Sequence, residues 1–291
     1  MNRFIRFIIL ALCFAGMSSV VASAQAQIST KKVLIGDFSS KITKVVTGGN
    51  AMLDDILKQE ISARWRVSPY EFCTLEEYQQ LKENPDYYFL MFAYGTDMRG
   101  RRNGVTMINL SKGGASKRSK GSKIAKAINV CDFPIASSQF PDGRESVWMA
   151  AAIDILQEFA VKCTESDFAG YRGLEAISSP WKCRNSHIIF SEDDLSRALA
   201  TDIRNKYFDD NIEIMDDADE IVTDGRQNAL VSFVVCPTDA VTGNPCYKML
   251  INARTHELYY FSRSRISARN PEGFNNSDIK KIGFIRKSIR K

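Results

Sequence analysis

From residue 32 onward, short apolar runs alternate with longer amphipathic ones, and the same order of the two occurs twice. KVLIGDF, starting at Lys32, is short and rich in branched side chains, which predicts a buried strand. A loop with Gly48 and Gly49 follows. Then NAMLDDILKQEISARW sets Met52, Leu53, Ile56, Ile61 and Trp65 close to helical spacing with charges between them. RVSPYEFCT predicts a second strand and TLEEYQQLKENPD a second helix. Thr74 is placed to cap that helix, with Glu77 three residues on, so that each side chain can bond the other's backbone N–H. YYFLMFAYG and, after a basic turn, GVTMINLSKGG complete the half as two strands.

The order restarts near His187. HIIF predicts a strand, EDDLSRALATDIRNKYF a helix with Leu195, Leu199 and Ile203 on one face, NIEIMDDAD a strand, and EIVTDGRQ a short helix or turn. ALVSFVVC and CYKMLINARTHELYYF then read as two strands folded back on each other, with Cys236 and Cys246 where the chain turns. Tyr87 to Val105 and Ala229 to Tyr247 are both 18 residues apart, which supports a duplication even though residue identity between the halves is faint. Each half also finishes on a helix. ESVWMAAAIDILQEFAVKC is apolar on most faces and is expected to be buried between layers, while NNSDIKKIGFIRKSIRK is shorter and basic. TESDFAGYRGLEAISSPWKC, rich in Gly, Ser and Pro, reads as a connector, with a boundary near Ser178. The class is α/β (α+β), as two tandem βαβαββ(α) modules with mixed sheets and packed helices at residues 32–177 and 178–291.

The first residues have another logic. Arg3 and Arg6 precede an apolar run from Phe7 to Ala15, and Ala22, Ala24 and Ala26 follow, the order of a secretory signal peptide over residues 1–24 with cleavage after Ala24 or Ala26. The run is short for a membrane span of about 20 residues, though an uncleaved anchor stays open. Cys13 is not expected to carry lipid, because Leu12 stands where a small residue normally precedes a lipidated cysteine. The expected location is therefore periplasmic or secreted. Arg3 and Arg6 account for two of the formal +5 charges, and the remaining excess is too mild to imply nucleic acid as a partner. The six later cysteines allow 15 pairings. Cys236 with Cys246 is the favoured disulfide, since facing strand ends bring α-carbons within the required range of about 4.4 to 6.8 Å, and buried free thiols are the alternative. The cysteines are too dispersed, and histidines too few (His187 and His256), for a metal site.

KVLIGDF, NPDYYFLMFAY and YKMLINARTHELYYF together resemble the N-terminal domain of TolB and the related CsgG and LpoB modules of bacterial envelopes. Asn84, Pro85 and Asp86 in the first half, and Asn228 and Ala229 in the second, stand at the pre-strand position of those modules. Asn252 and Thr255 hold places in their last turn, with His256 where that family usually has glycine. The resemblance covers Lys32 to Phe261 and implies an envelope protein that binds other proteins and performs no chemistry. The absence of a lipidation motif departs from the secretion and activator members.

The basic loop at residues 111 to 126 offers Lys112, Lys117, Arg118, Lys120, Lys123 and Lys126 among glycines and serines as a partner-binding surface for lipid head groups, peptidoglycan or an acidic protein face. Arg99, Arg101, Arg102 and the segment from Lys280 to Lys291 can extend it. The loop lacks the interleaved aromatics of single-stranded nucleic-acid binders and the GxxxxGK[ST] pattern. In DDNIEIMDDADE the apolar Ile212, Ile214 and Met215 interrupt any alternation of calcium ligands. Cys183 near His187 invites a nucleophile reading without a third orienting group, and no GxSxG or HExxH is present. The expectation is a non-enzymatic exported protein that engages an envelope protein partner, without catalytic residues, metal or cofactor. The alternatives are a hydrolase or thiol-redox enzyme assembled from distant residues such as Cys163, Cys183 and His187, and a binder of anionic envelope components.

Overall fold

The computed structural model describes residues 31–97, 100–114, 128–139, 142–206, 211–225 and 227–283. The expected signal peptide lies outside them. Each half builds a five-stranded mixed sheet with the same connectivity. In the first, β1 (Ile42–Thr47) runs parallel to β2 (Tyr70–Thr74) on one side and β3 (Tyr87–Thr96) on the other, and β3 continues antiparallel through β4 (Arg102–Lys112) into β5 (Ile128–Ser137). In the second, β6 (Ile188–Ser191) lies between parallel β7 (Ile212–Met215) and β8 (Leu230–Val235), followed antiparallel by β9 (Pro245–Asn252) and β10 (Leu258–Arg265). The strand orders are thus β2-β1-β3-β4-β5 and β7-β6-β8-β9-β10.

Helix α1 (Lys32–Ile35) opens the described chain. Helices α2 (Ala51–Arg64) and α3 (Leu75–Leu81) link the parallel strands of the first sheet, α4 (Arg144–Val147) and α5 (Met149–Glu165) follow it, and α6 (Asp167–Arg172) starts the connector. The second half repeats the plan with α7 (Arg197–Lys206), α8 (Asp219–Asp224) and a closing α9 (Asn276–Lys281). The cap of α3 forms as its sequence predicts: Thr74 accepts from the Glu77 N–H and the Glu77 carboxylate accepts from the Thr74 N–H. Among the described residues no helix is long and apolar enough to cross a membrane.

Three element expectations change. KVLIGDF is not a strand. Ile35 and Phe38 point inward three residues apart while Val33 and Leu34 stay exposed, the pattern of one helical face, and the chain forms α1 and a 3-10 turn at Phe38–Ser40. The first strand is instead ITKVVT, in which every residue but Lys44 is β-branched. Each sheet also has a fifth strand, so the modules are one strand longer than expected. β5 lies beyond the basic loop and carries Pro134, tolerated because this is the outer strand of its sheet, where a missing N–H costs no ladder bond. The run CYKMLINARTHELYYF breaks into β9 and β10 at a turn where Asn252 Oδ1 accepts from the N–H groups of Arg254 (3.0 Å) and Thr255 (2.9 Å). His256 takes φ 59° there, the left-handed conformation that a glycine adopts without strain.

The faces of the sheets explain why the strands read as continuous apolar runs. In β8, Val231, Phe233 and Val235 face a central core while Leu230 and Val234 face outward to a second core under α7 and α9; β9 is buried at all eight positions. The central core joins both halves: the α2 and α5 side of the first sheet meets the α8 side of the second. Helix α5 buries ten of its 17 residues there, as its all-round apolarity predicts. The opposite side of the first sheet carries α3 over a small cluster of Val46, Cys73 and Phe89. Further along that same side, Asn109 hydrogen-bonds Asn129 and Asp132.

Candidate functional site

The halves are locked by one guanidinium. Arg144, at the start of α4, donates to both oxygens of Asp194 (2.8 and 3.1 Å) and both of Asp219 (2.8 and 3.0 Å), and its guanidinium lies over the Phe233 ring. Trp148 stacks on Phe233 at 4.7 Å and donates its indole N–H to Asp219, while the Ser232 hydroxyl donates to Asp194. Burial alone would lower the Arg144 pKa, but the two facing carboxylates raise it. Burial also leaves the Asp194 carboxyl above its ordinary value despite Arg144 and Ser232. Desolvation therefore offsets much of the attraction, and the clamp fixes where α4 sits more than it adds net stability.

Beside this clamp runs a groove between the modules. A cavity of about 590 Å³ is lined by Arg64 from α2, Ser146 and Ala150 from α4 and α5, and Arg254 and His256 from the β9–β10 turn. The turn points His256 at α5: its Nδ1 lies 2.7 Å from Asp154 Oδ2, which also accepts from Arg64 Nη1 at 2.9 Å, while Arg64 Nε donates to Glu60 at 2.6 Å. The Asp154 bond orients the imidazole, and Nε2 has no hydrogen-bond partner among the described residues. The Ser146 hydroxyl is shielded from solvent without a hydrogen-bond partner among the described residues. A second cavity of about 500 Å³ continues past Val147 and Thr223, which line both, to Asp217, Glu220 and Asp224 around α8. Apart from His256, noted only as filling a glycine position, and Asp217 and Glu220, which fall in the acidic stretch weighed as a calcium loop, none of these residues stood out in the sequence. They come from segments far apart in the chain, and no local spacing marks them.

The expected site residues fare differently. Lys117, Arg118, Lys120, Lys123 and Lys126, like Arg99, lie outside the described residues. Lys112 does not belong to an exposed loop. It ends β4, buried, and its ammonium donates to the Leu34 carbonyl and to both Asp37 oxygens (2.7 Å each), tying α1 to the first sheet. A lysine saturated in this way cannot also serve a partner. Burial alone would raise the Asp37 carboxyl, but hydrogen bonds from Lys112 and Tyr88 prevail and hold it below its ordinary value. Cys236 and Cys246 do face each other, continuing the register in which Val235 meets Tyr247, and both are free thiols in this structure. The two thiols titrate as a pair, their mutual influence pushing Cys236 up and Cys246 down, with Lys248 adding to the latter.

Cys163 and Cys183 are buried in separate apolar clusters, and burial pushes each thiol up to about 12. His187 is part exposed, 3.3 Å from Glu213. Among the described residues no group of three or more His, Cys, Asp or Glu is placed to hold a metal ion.

The connector supplies a surface of another kind. Phe168 and Tyr171, three residues apart on one face of α6, are 63% and 42% exposed, and Trp181, in the 3-10 turn Pro180–Asn185, is 72% exposed. The connector is held in place: Lys32 donates its backbone N–H to Asp167 and its ammonium to the Glu165 carbonyl, and Ser179 donates its N–H to the Tyr259 carbonyl of the outer strand β10. Compared with known proteins, the chain matches no family model, no curated protein and no solved structure.

Proposed function

We propose that this chain is an exported, non-enzymatic protein of the cell envelope, a binding or assembly module of the periplasm or outer membrane that docks another protein on its connector. The exposed connector aromatics carry this reading. Of the five exposed aromatics among the described residues, three sit within Phe168 to Trp181; Tyr94 lies under the Arg102 guanidinium, and Phe168 has that of Arg172 over its ring at 5.6 Å yet stays 63% exposed. Large aromatics left in water on a fixed backbone are the side chains that dominate protein interfaces, because they bury much area at little cost in rotamer entropy. The protein-binding role implied by the TolB-type resemblance points the same way. A mechanism through Cys163 or Cys183 is disfavoured by chemistry: a thiol pushed up to about 12 is overwhelmingly protonated at neutral pH, and it is the thiolate that attacks.

A photo-crosslinking amino acid placed at Trp181 in the full chain, in its native envelope, tests the proposal. It should yield one adduct of defined mass. The same probe at Val241, equally exposed on the β8–β9 turn, should yield none, and Phe168→Ala should suppress the Trp181 adduct. Equal labelling at both positions, or no adduct at either, would refute docking at the connector.

A further inference from the structure

The groove beside the Arg144 clamp has two ends of opposite charge. At one end stand Arg254 and His256; the Arg254 guanidinium has no ion pair or hydrogen bond to another side chain among the described residues, whereas Arg64 beside it is already committed to Asp154 and Glu60. At the other end stand Asp217 and Glu220, and the Glu220 carboxylate likewise has no such partner among the described residues. The rest of the lining is mostly small: Ser146, Ala150, Gly225 and Ala253 with Val222, and Val147 and Thr223 shared by the two cavities.

A lone anion would be drawn to Arg254 and repelled by the far end, and a lone cation the reverse. A ligand with a carboxylate at one end and an ammonium at the other satisfies both, each contact being a charge-assisted hydrogen bond to an exposed side chain, Arg254 at one rim and Asp217 or Glu220 at the other. The small lining residues leave room for an extended backbone with small side chains. The combined size, about 590 and 500 Å³, lies in the range of small-ligand sites. We infer that the groove binds a short peptide with free amino and carboxyl ends and small side chains, its carboxylate at Arg254 and His256 and its ammonium at Asp217 and Glu220. The site is separate from the connector surface, so either can fail without the other.

Calorimetric titration of the full chain with tri-L-alanine, its N-acetyl derivative and its C-terminal amide tests the assignment. The free peptide should bind saturably, and blocking either end should weaken it by about two- to fivefold, the worth of one exposed charge pair. Arg254→Ala should weaken the free peptide by a similar factor yet leave the amide unchanged; Glu220→Gln should do the same with respect to the acetylated peptide. Trp181→Ala should change none of these affinities. Two results would overturn the inference: no saturable binding at millimolar tri-L-alanine, or equal affinity for the free and blocked peptides. A loss in Arg254→Ala that is the same for peptide and amide would overturn the placement of the carboxylate.

Discussion

Single residues decide how tightly the halves fit. Gly104, in β4, has φ 84°, and a Cβ there would approach Pro237 Cβ to 2.7 Å, so the β8–β9 turn rests on a position only glycine can occupy. The same turn is tied to β5 by Ser137, whose hydroxyl lies 2.8 Å from that of Thr238. Gly104→Ala should therefore destabilise the fold by about 1–3 kcal/mol, the usual cost of overpacking, read as a lower denaturant midpoint at unchanged slope; an unchanged midpoint would mean that the turn is not seated there. Asp37 sets a pH dependence of known sign. Its folded-state pKa is depressed, so its contribution is fully present above the ordinary carboxylate value and is lost as pH falls through the lower folded-state one. In Lys112→Met the main lowering influence disappears while burial remains. The Asp37 carboxyl should then titrate at higher pH by carbon-13 NMR, and the loss of stability on acidification should shrink. An Asp37 titration identical to wild type would contradict the geometry of this tie.

Among elements, the closing helix α9 depends on a buried ion pair. Lys248 of β9, fully buried, donates to Asp278 (2.9 Å), which also accepts from the Tyr260 hydroxyl (2.7 Å) and from the Asn275 N–H that it caps. Lys248→Met leaves a buried carboxylate without its cation, at a cost of about 3–5 kcal/mol, and hydrogen exchange should show α9 losing protection before the strands of the second sheet. Equal loss in both would place α9 in the same cooperative unit as the sheet. The elements legible in the sequence are those whose signals are local: the all-round apolarity of α5, the apolar stripe of α7, the capping box of α3, the matched spacing of the β3–β4 and β8–β9 hairpins. β5 was not legible because its proline and Asp132 argue against a strand unless its place at the sheet's edge is known. β1 was passed over because the apolar run ahead of it drew the strand assignment. The groove was unreadable for a different reason, since it exists only once α2, α5, α8 and the β9–β10 turn converge.

At the scale of the whole molecule, neither half has a complete interior of its own. Ile189, Val231, Phe233, Met249 and Ile251 of the second sheet bury against the first half, and baring such side chains costs about 1.5–3 kcal/mol each. Residues 178–291 expressed alone should lack a cooperative unfolding transition and bind hydrophobic dyes, while mixing with residues 31–177 should restore the transition; an independently folded second half would show that the central core is dispensable. The way the halves meet has a further meaning. One unit's α2 and α5 side lies on the other's α8 side, a head-to-tail contact between unlike surfaces, and such contacts leave a fresh copy of each surface at the two ends. Where the second sheet offers Val231 and Phe233 to its neighbour, the matching β3 positions of the first are Phe89, packed under Tyr78 of α3, and the half-buried Met91, beside the mutually bonded Asn109, Asn129 and Asp132. The free surface at the leading end is thus only partly closed: α3 covers Phe89, while Met91 is left half-buried for whatever else settles against it.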